Sequence, residues 1–138
     1  MPSGRLLRGS AAMYARLYRL FGGRGFRKVL LIETVGAKSG ERRVAGVQRF
    51  DDGDGRWLVV GSAGGRATNP AWLHNLAAHP DQVWVQIGDV RHKVRPEILA
   101  GGERDAAWKR VVAEAPNFGS YETKTDREIP VVRLTREG

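Results

Sequence analysis

The chain of 138 residues contains no cysteine. That absence excludes disulfides, thiolate nucleophiles, Cys-ligated zinc and iron–sulfur clusters together, and it leaves the redox compartment open. No apolar run approaches the ~18–20 residues of a membrane-spanning helix, and Arg16 and Arg19 interrupt any apolar core of a secretory signal. The histidines His74, His79 and His92 form no HExxH pair and have no carboxylate at ligand spacing, so no metal site is expected. A phosphate loop is missing as well, because Ala37 stands where that motif needs Gly before Lys38. Neither G-x-G-x-x-G nor G-x-S-x-G occurs, which removes support for a Rossmann site and for a serine elbow.

Acidic residues are absent from residues 1–28, where Arg5, Arg8, Arg16, Arg19, Arg24, Arg27 and Lys28 give a charge of +7. The rest of the chain is almost neutral, so the net charge of +8 belongs to an N-terminal arm. Leu6, Leu7, Met13, Tyr14, Leu17, Tyr18, Leu20 and Phe21 recur there at roughly helical spacing, and Gly22-Gly23 ends the pattern. Such a helix packs its apolar stripe on the body, lies on an anionic membrane surface, or attracts a polyanionic ligand. Specific nucleic-acid binding is not expected, since the body has no basic face, and no protein partner is inferred. The expected location is the cytoplasm, with peripheral contact at the inner membrane face through residues 1–28.

Residues 29–138 read as one domain, since 41% hydrophobic composition at this length supports a core without staples. Val29–Val35, Val44–Phe50 and Trp57–Gly61 are β-rich runs joined by a Gly-Lys-Ser-Gly turn and by the acidic turn 51–55, an antiparallel meander. Asn69-Pro70 opens a helix bearing Trp72, Leu73 and Leu76, with Asn69 as cap and Pro70 at the first helical position. Val83–Ile87 and Val90–Val94 form a hairpin around Gly88-Asp89. Glu103–Ala115 is helical, and Ile129–Leu134 is a final strand whose Pro130 suits its start or a sheet edge. The fold class is mainly β with helices (α+β): a small, partly open barrel of about six antiparallel strands with an N-terminal helix and interposed helices. A doubly wound sheet fits poorly, because the first three strands lack crossover helices.

Two loops carry candidate chemistry. Thr34-Val35-Gly36-Ala37-Lys38-Ser39-Gly40 brings an ammonium, a hydroxyl and turn amides together, with Arg43 following, as a phosphate ester requires. Taken alone, the segment reads first as an ordinary solvated Lys-Ser-Gly turn, and the anion site is the other reading. Gly61-Ser62-Ala63-Gly64-Gly65-Arg66 joins a strand to a helix, and its small residues leave room for a flat heterocycle.

These loops, with Glu41-Arg42-Arg43, Asn69-Pro70-Ala71-Trp72-Leu73-His74-Asn75-Leu76 and the run from Tyr121 to Val132, resemble the deazaflavin-dependent nitroreductase family over roughly residues 29–135. The resemblance implies a split β-barrel oxidoreductase using coenzyme F420, with FMN as the alternative cofactor. It implies that Ala37, Lys38, Ser39 and Arg43 hold the cofactor phosphate. Val44, Gly46 and Gln48, with Val60, Gly61, Ser62, Ala63 and Gly64, would flank the ring, and Trp72 and Asn75 would complete the pocket. Tyr121 is implied as the catalytic residue beside ring and substrate, with Phe118 in the substrate pocket. Where Ala63 stands, many relatives have Lys; at Phe118 and Gln48 some have Tyr. The implied reaction is hydride transfer from F420H2 to an electron-poor small molecule, a quinone, enone or nitroaromatic. A non-catalytic F420 or lipid carrier is the other reading.

Overall fold

The computed structural model describes residues 15–16, 28–61, 70–122 and 128–137, without the side chains of Tyr121 and Glu122. Of the expected N-terminal helix, only Ala15 and Arg16 are among them, and these are helical. The remainder of that expectation lies outside the described residues.

Seven strands form one antiparallel sheet: β1 (Val29–Val35), β2 (Arg42–Gln48), β3 (Phe50–Asp51), β4 (Arg56–Val60), β5 (Trp84–Ile87), β6 (Val90–Ile98) and β7 (Val131–Arg136). Three helices accompany them: α1 (Ala71–Ala78), α2 (Gly101–Glu114) and α3 (Asn117–Glu122). The sheet order is β2-β1-β5-β6-β7-β4-β3.

Its two ends are joined by the chain itself, because Arg49 alone separates β2 from β3. The sheet therefore curls until its first and last strands are neighbours along the backbone. Arg49 marks the corner: its amide donates to the Lys28 carbonyl at 2.6 Å and its guanidinium to the Val29 carbonyl at 3.0 Å. Counted as continuous segments, β2 and β3 are one bent strand, and the barrel has six. The meander read from the sequence is realised with its middle strand broken at this corner, the first half on β1 and the second on β4. β6 makes the same change of partner, pairing through Lys93 with β5 and from Val94 with β7. Pro96 sits in the half that β5 has left, where a strand tolerates the loss of an N–H.

Strand alternation separates the apolar side chains into two main cores. Leu30, Ile32, Val59, Val85, Val132 and Leu134 fill the barrel interior, and Trp72, Leu73 and Leu76 of α1 close it. On the outer face of β4 and β7, Leu58, Val60 and Val131 pack against Ala107, Trp108 and Val111 of α2 and Phe118 of α3. Ala15 covers Leu31 on the outer face of β1. Because both faces of β1 are covered, five consecutive residues are buried, the apolar Leu30–Ile32 followed by the polar Glu33 and Thr34.

Several boundaries differ from the sequence reading: β2 begins at Arg42 rather than Val44, and β6 runs on past Val94 to Ile98. Pro70 is the cap of α1, with φ −67° and ψ 154°, so the helix begins one position later than expected, and Asn69 lies outside the described residues. Helix α2 begins at Gly101, whose φ of +58° glycine alone adopts freely, two residues before the expected Glu103. β7 starts after Pro130 and is central, between β6 and β4. The Gly88-Asp89 turn is as expected, with Gly88 at φ +59° linking paired Ile87 and Val90.

Candidate functional site

The β1–β2 connection is tight. Gly36 N–H donates to the Glu41 carbonyl at 2.7 Å, and Gly40, at φ +71°, donates to the Gly36 carbonyl at 3.0 Å. A Cβ on Gly36 would lie 2.4 Å from Ser39 Oγ, so glycine lets the serine fold back over the turn. Ser39 Oγ accepts from the Glu41 amide at 3.1 Å and lies 3.5 Å from an Arg43 nitrogen. Arg43 in turn pairs with Glu41 at 2.9 Å.

Helix α1 fixes this turn against the barrel through Asn75. The buried Asn75 accepts a hydrogen bond from the Ala37 amide at 2.9 Å through Oδ1 and donates to Thr34 Oγ1 at 3.2 Å through Nδ2. Helical spacing gives α1 two uses. Trp72, Leu73 and Leu76 point into the barrel, while Ala71, His74 and Asn75 meet the turn.

Between turn and helix lies a cavity of about 880 Å3. Its walls are mostly small or apolar: Gly36, Ala37, Val44, Ala45, Ala71 and Trp72. Its charged or polar members are Lys38, Ser39, Arg43, His74, Thr34 and Asn75. Among the described residues, Lys38 has no ion pair and no hydrogen-bonded partner, unlike Arg43. An uncompensated ammonium beside the Ser39 hydroxyl and a roomy, largely apolar wall suits a ligand that combines an anion with an apolar ring. The size is within the ~300–1,000 Å3 usual for small-molecule sites. These features fit a phosphate-bearing deazaflavin.

The structure brings Ala37, Lys38, Ser39, Arg43, Val44, Trp72 and Asn75 to this one cavity. Gly46 and Gln48 alternate with Ala45 and Val47 along β2 and lie on the opposite face from them. Val60 is buried beneath α2, and Gly61 donates to the Pro130 carbonyl at 2.9 Å, with Leu73 close by. Phe118 packs edge-on against Phe50, with centroids 5.7 Å apart, in the outer core. Ser62, Ala63, Gly64 and the side chain of Tyr121 lie outside the described residues. Thr34, Gly36, Ala45, Ala71 and His74 also line the cavity; Thr34 and Gly36 fall in the candidate loop, but the sequence reading gives none of the five a role at the site. The signal was available for two of them, because His74 and Ala71 fall on the α1 face that carries Asn75.

Behind the turn, the outer face of β1 holds a buried carboxylate. Glu33, 1% exposed, is bound by Arg91 at 2.9 and 3.3 Å and by Arg42. Burial disfavours its charge, but the Arg91 hydrogen bonds and the fields of Arg42 and Arg91 prevail and hold it below the ordinary carboxylate range. Arg91 also stacks on Trp84 at 4.9 Å. This cluster ties β1, β2 and β6 together beneath the turn. Among the described residues no helix is long and apolar enough to cross a membrane, and no group of ligands suits a metal ion.

Comparison with known proteins accords with this geometry. A family model described as F420H(2)-dependent quinone reductase matches residues 6–136. The F420H(2)-dependent quinone reductase Rv1261c of Mycobacterium tuberculosis is 38% identical over 110 residues, 78% of this chain and 72% of that protein. A solved F420-H2 dependent reductase superposes with a TM-score of 0.70 at 38% identity, covering 78% of this chain and 94% of its own. A second solved chain, described as a domain-swapped dimer, gives 0.71 at 32% identity, covering 97% and 99%. The chain belongs to the F420H(2)-dependent quinone reductase family.

Proposed function

We propose that this protein reduces a quinone-class acceptor with F420H2, binding the cofactor phosphate at the Lys38 turn and its ring along the cavity wall. The observation that carries this reading is the unpaired Lys38 ammonium at a roomy cavity with small and apolar walls. Family membership supports the cofactor and the acceptor class. When bound, reduced F420 supplies the hydride, and the acceptor takes up a proton besides. Lys38, Ser39 and Arg43 bind and orient the phosphate, while Ala37, Val44 and Trp72 exclude water from the ring and leave it a flat bed. Asn75 holds the turn in place. Tyr121, carried on α3, orients an acceptor oxygen or donates the proton, and the segment through Ser62, Ala63 and Gly64 completes the ring site. Enones and nitroaromatics belong to the same electron-poor class.

Fluorescence titration of the full chain with F420 and, separately, FMN tests this, followed by F420H2 oxidation with menadione. Replacing Lys38 and Arg43 together by Ala should weaken F420 at least tenfold, as expected for two charge-assisted contacts, with little change in melting temperature. Unchanged affinity in that variant would refute the assignment.

Residues 1–28, as a basic segment distinct from the barrel of residues 29–138, are assigned a second role: peripheral contact with an anionic membrane at the cytoplasmic face, where quinones dissolve. Its charge of +7 supports this. Co-sedimentation with anionic vesicles that is lost at high salt, and absent with neutral vesicles, is the expected result.

A further inference from the structure

His74 is the one imidazole on the cavity. It is exposed, and among the described residues its side chain has no hydrogen bond, ion pair or ring contact. Its position is fixed by the bond on which the site is built. Asn75 Oδ1 accepts from the Ala37 amide at 2.9 Å, and His74 and Lys38 are the chain neighbours of those two bonded residues. Both line the same cavity, one from α1 and one from the turn. The charged groups facing this place from the packed elements are few. The hairpin supplies Lys38, Arg43 and Glu41, and Glu41 is engaged by Arg43 at 2.9 Å. Helix α1 has no other ionisable residue, and Glu33 lies on the other face of β1, held by Arg42 and Arg91. No carboxylate among the described residues is therefore spoken for by either Lys38 or His74.

We propose that His74 is a third ligand of the anion bound at the Lys38 turn, so that the hold on a phosphate-bearing cofactor strengthens as the imidazole takes up a proton. This rests on the function proposed above and adds to it a residue and a pH dependence. An imidazole changes charge between about pH 5 and 8, with the cation on the acid side. A phosphate diester keeps a single negative charge across that range. Affinity for the phosphate group accordingly rises with falling pH, through a charge-assisted N–H···O contact that neutral His74 offers only weakly.

The test is fluorescence titration of the full chain at about pH 6 and about pH 8.5, which straddle the imidazole range, with two probes: F420 and the same deazaflavin lacking the phosphate. The phosphate-free probe carries the same ring and subtracts any titration of that ring. Wild type should bind F420 several-fold more tightly at the lower pH, relative to the phosphate-free probe. His74→Gln should bind F420 about tenfold more weakly than wild type at the lower pH, the low end of the range for one charge-assisted contact, and should show no such pH difference. His74→Lys should restore the affinity and hold it at both values. All three should melt alike, since the side chain is exposed. An identical pH dependence in wild type and His74→Gln, or an equal loss with the phosphate-free probe, overturns the assignment of His74 while leaving the F420 reading intact. Failure of wild type to bind F420 at either pH overturns both.

Discussion

Asn75→Ala separates the scaffold of the site from its charges. The substitution removes two hydrogen bonds from a residue that is 7% exposed, one to the Ala37 amide at 2.9 Å and one to Thr34 Oγ1 at 3.2 Å. At about 1 kcal/mol net for each, the expected loss is about 2 kcal/mol. For a domain of this size that corresponds to a fall in melting temperature of roughly 6–10 °C. The Ala37 amide is on an exposed turn and regains water, whereas Thr34 is 2% exposed and does not, so the buried side carries most of the cost. Binding should suffer separately. Without the anchor, Lys38 and Ser39 must be ordered by the cofactor itself, and an ordering cost of about 1.4 kcal/mol is tenfold in affinity. The control is Val111→Ala, on the buried face of α2 in the outer core, which should cost a comparable ~1–2 kcal/mol and leave F420 affinity at the wild-type level. Urea denaturation and fluorescence titration read the two quantities. Equal affinities for Asn75→Ala and Val111→Ala would refute the reasoning, as would a stability loss below about 0.5 kcal/mol for Asn75→Ala.

Glu33→Gln should lower stability at neutral pH by about 2 kcal/mol, less than for a fully buried pair because Arg42 and Arg91 are 59% and 49% exposed. The folded carboxyl titrates below its ordinary 4.5, so its contribution is complete above that value and fades as pH falls through the lowered one. Denaturation at neutral pH and at about pH 3 should show the gap between variant and wild type closing on the acid side. A constant gap would remove the ion pairs as its cause. Asp52→Asn should destabilise by about 2–3 kcal/mol, since Arg133, 18% exposed, loses its 2.6 Å partner and Arg110 loses its own. Its carboxyl is likewise held low, burial being outweighed by hydrogen bonds from Arg110 and Arg133, so this contribution also fades below its ordinary 3.8. Arg104→Met should cost about 1–3 kcal/mol by urea denaturation, because both Nε and Nη2 serve the Ile129 carbonyl, at 3.2 and 2.6 Å.

Elements whose pattern is local were legible in the sequence. The β5–β6 hairpin announced itself through Gly88-Asp89, and α1 through its Trp72, Leu73 and Leu76 stripe. What pattern does not encode is where a strand changes partner. Arg49 looks like any residue inside a β run, and only the closed circuit shows that Val47 faces one core and Phe50 another. Pro130 suggested a strand start or an edge because proline lacks an N–H, and the start is what the fold uses: it immediately precedes β7, which is central, and costs that strand nothing. The start of α2 defies propensity, for two glycines open it after the extended Ala100. Within the site, the loop residues of the turn were readable because glycine, lysine and serine each imply a job there. Asn75 was assigned to the ligand, while its amide is occupied in holding the turn. His74, weighed in the sequence only as a metal ligand, gave no sign of a place at the cavity, because an exposed helical histidine has no distinguishing neighbour until the fold supplies one.

The sheet order carries a lesson about synthesis. β4 leaves the ribosome early, paired on one side with β3, but its other neighbour is β7, formed from residues 131–136. Until those residues arrive, the hydrogen-bonding edge from Arg56 to Val60 stands open, whereas β1, β2, β5 and the first half of β6 already have one another. An unpaired apolar edge of this kind invites other chains. Of the two halves of the barrel, the one carrying the Lys38 turn can assemble during translation, and the other must wait for its closing strand. Ribosome-stalled chains ending near residue 128 should therefore protect the β1–β2 hairpin from proteolysis and leave β4 cleavable.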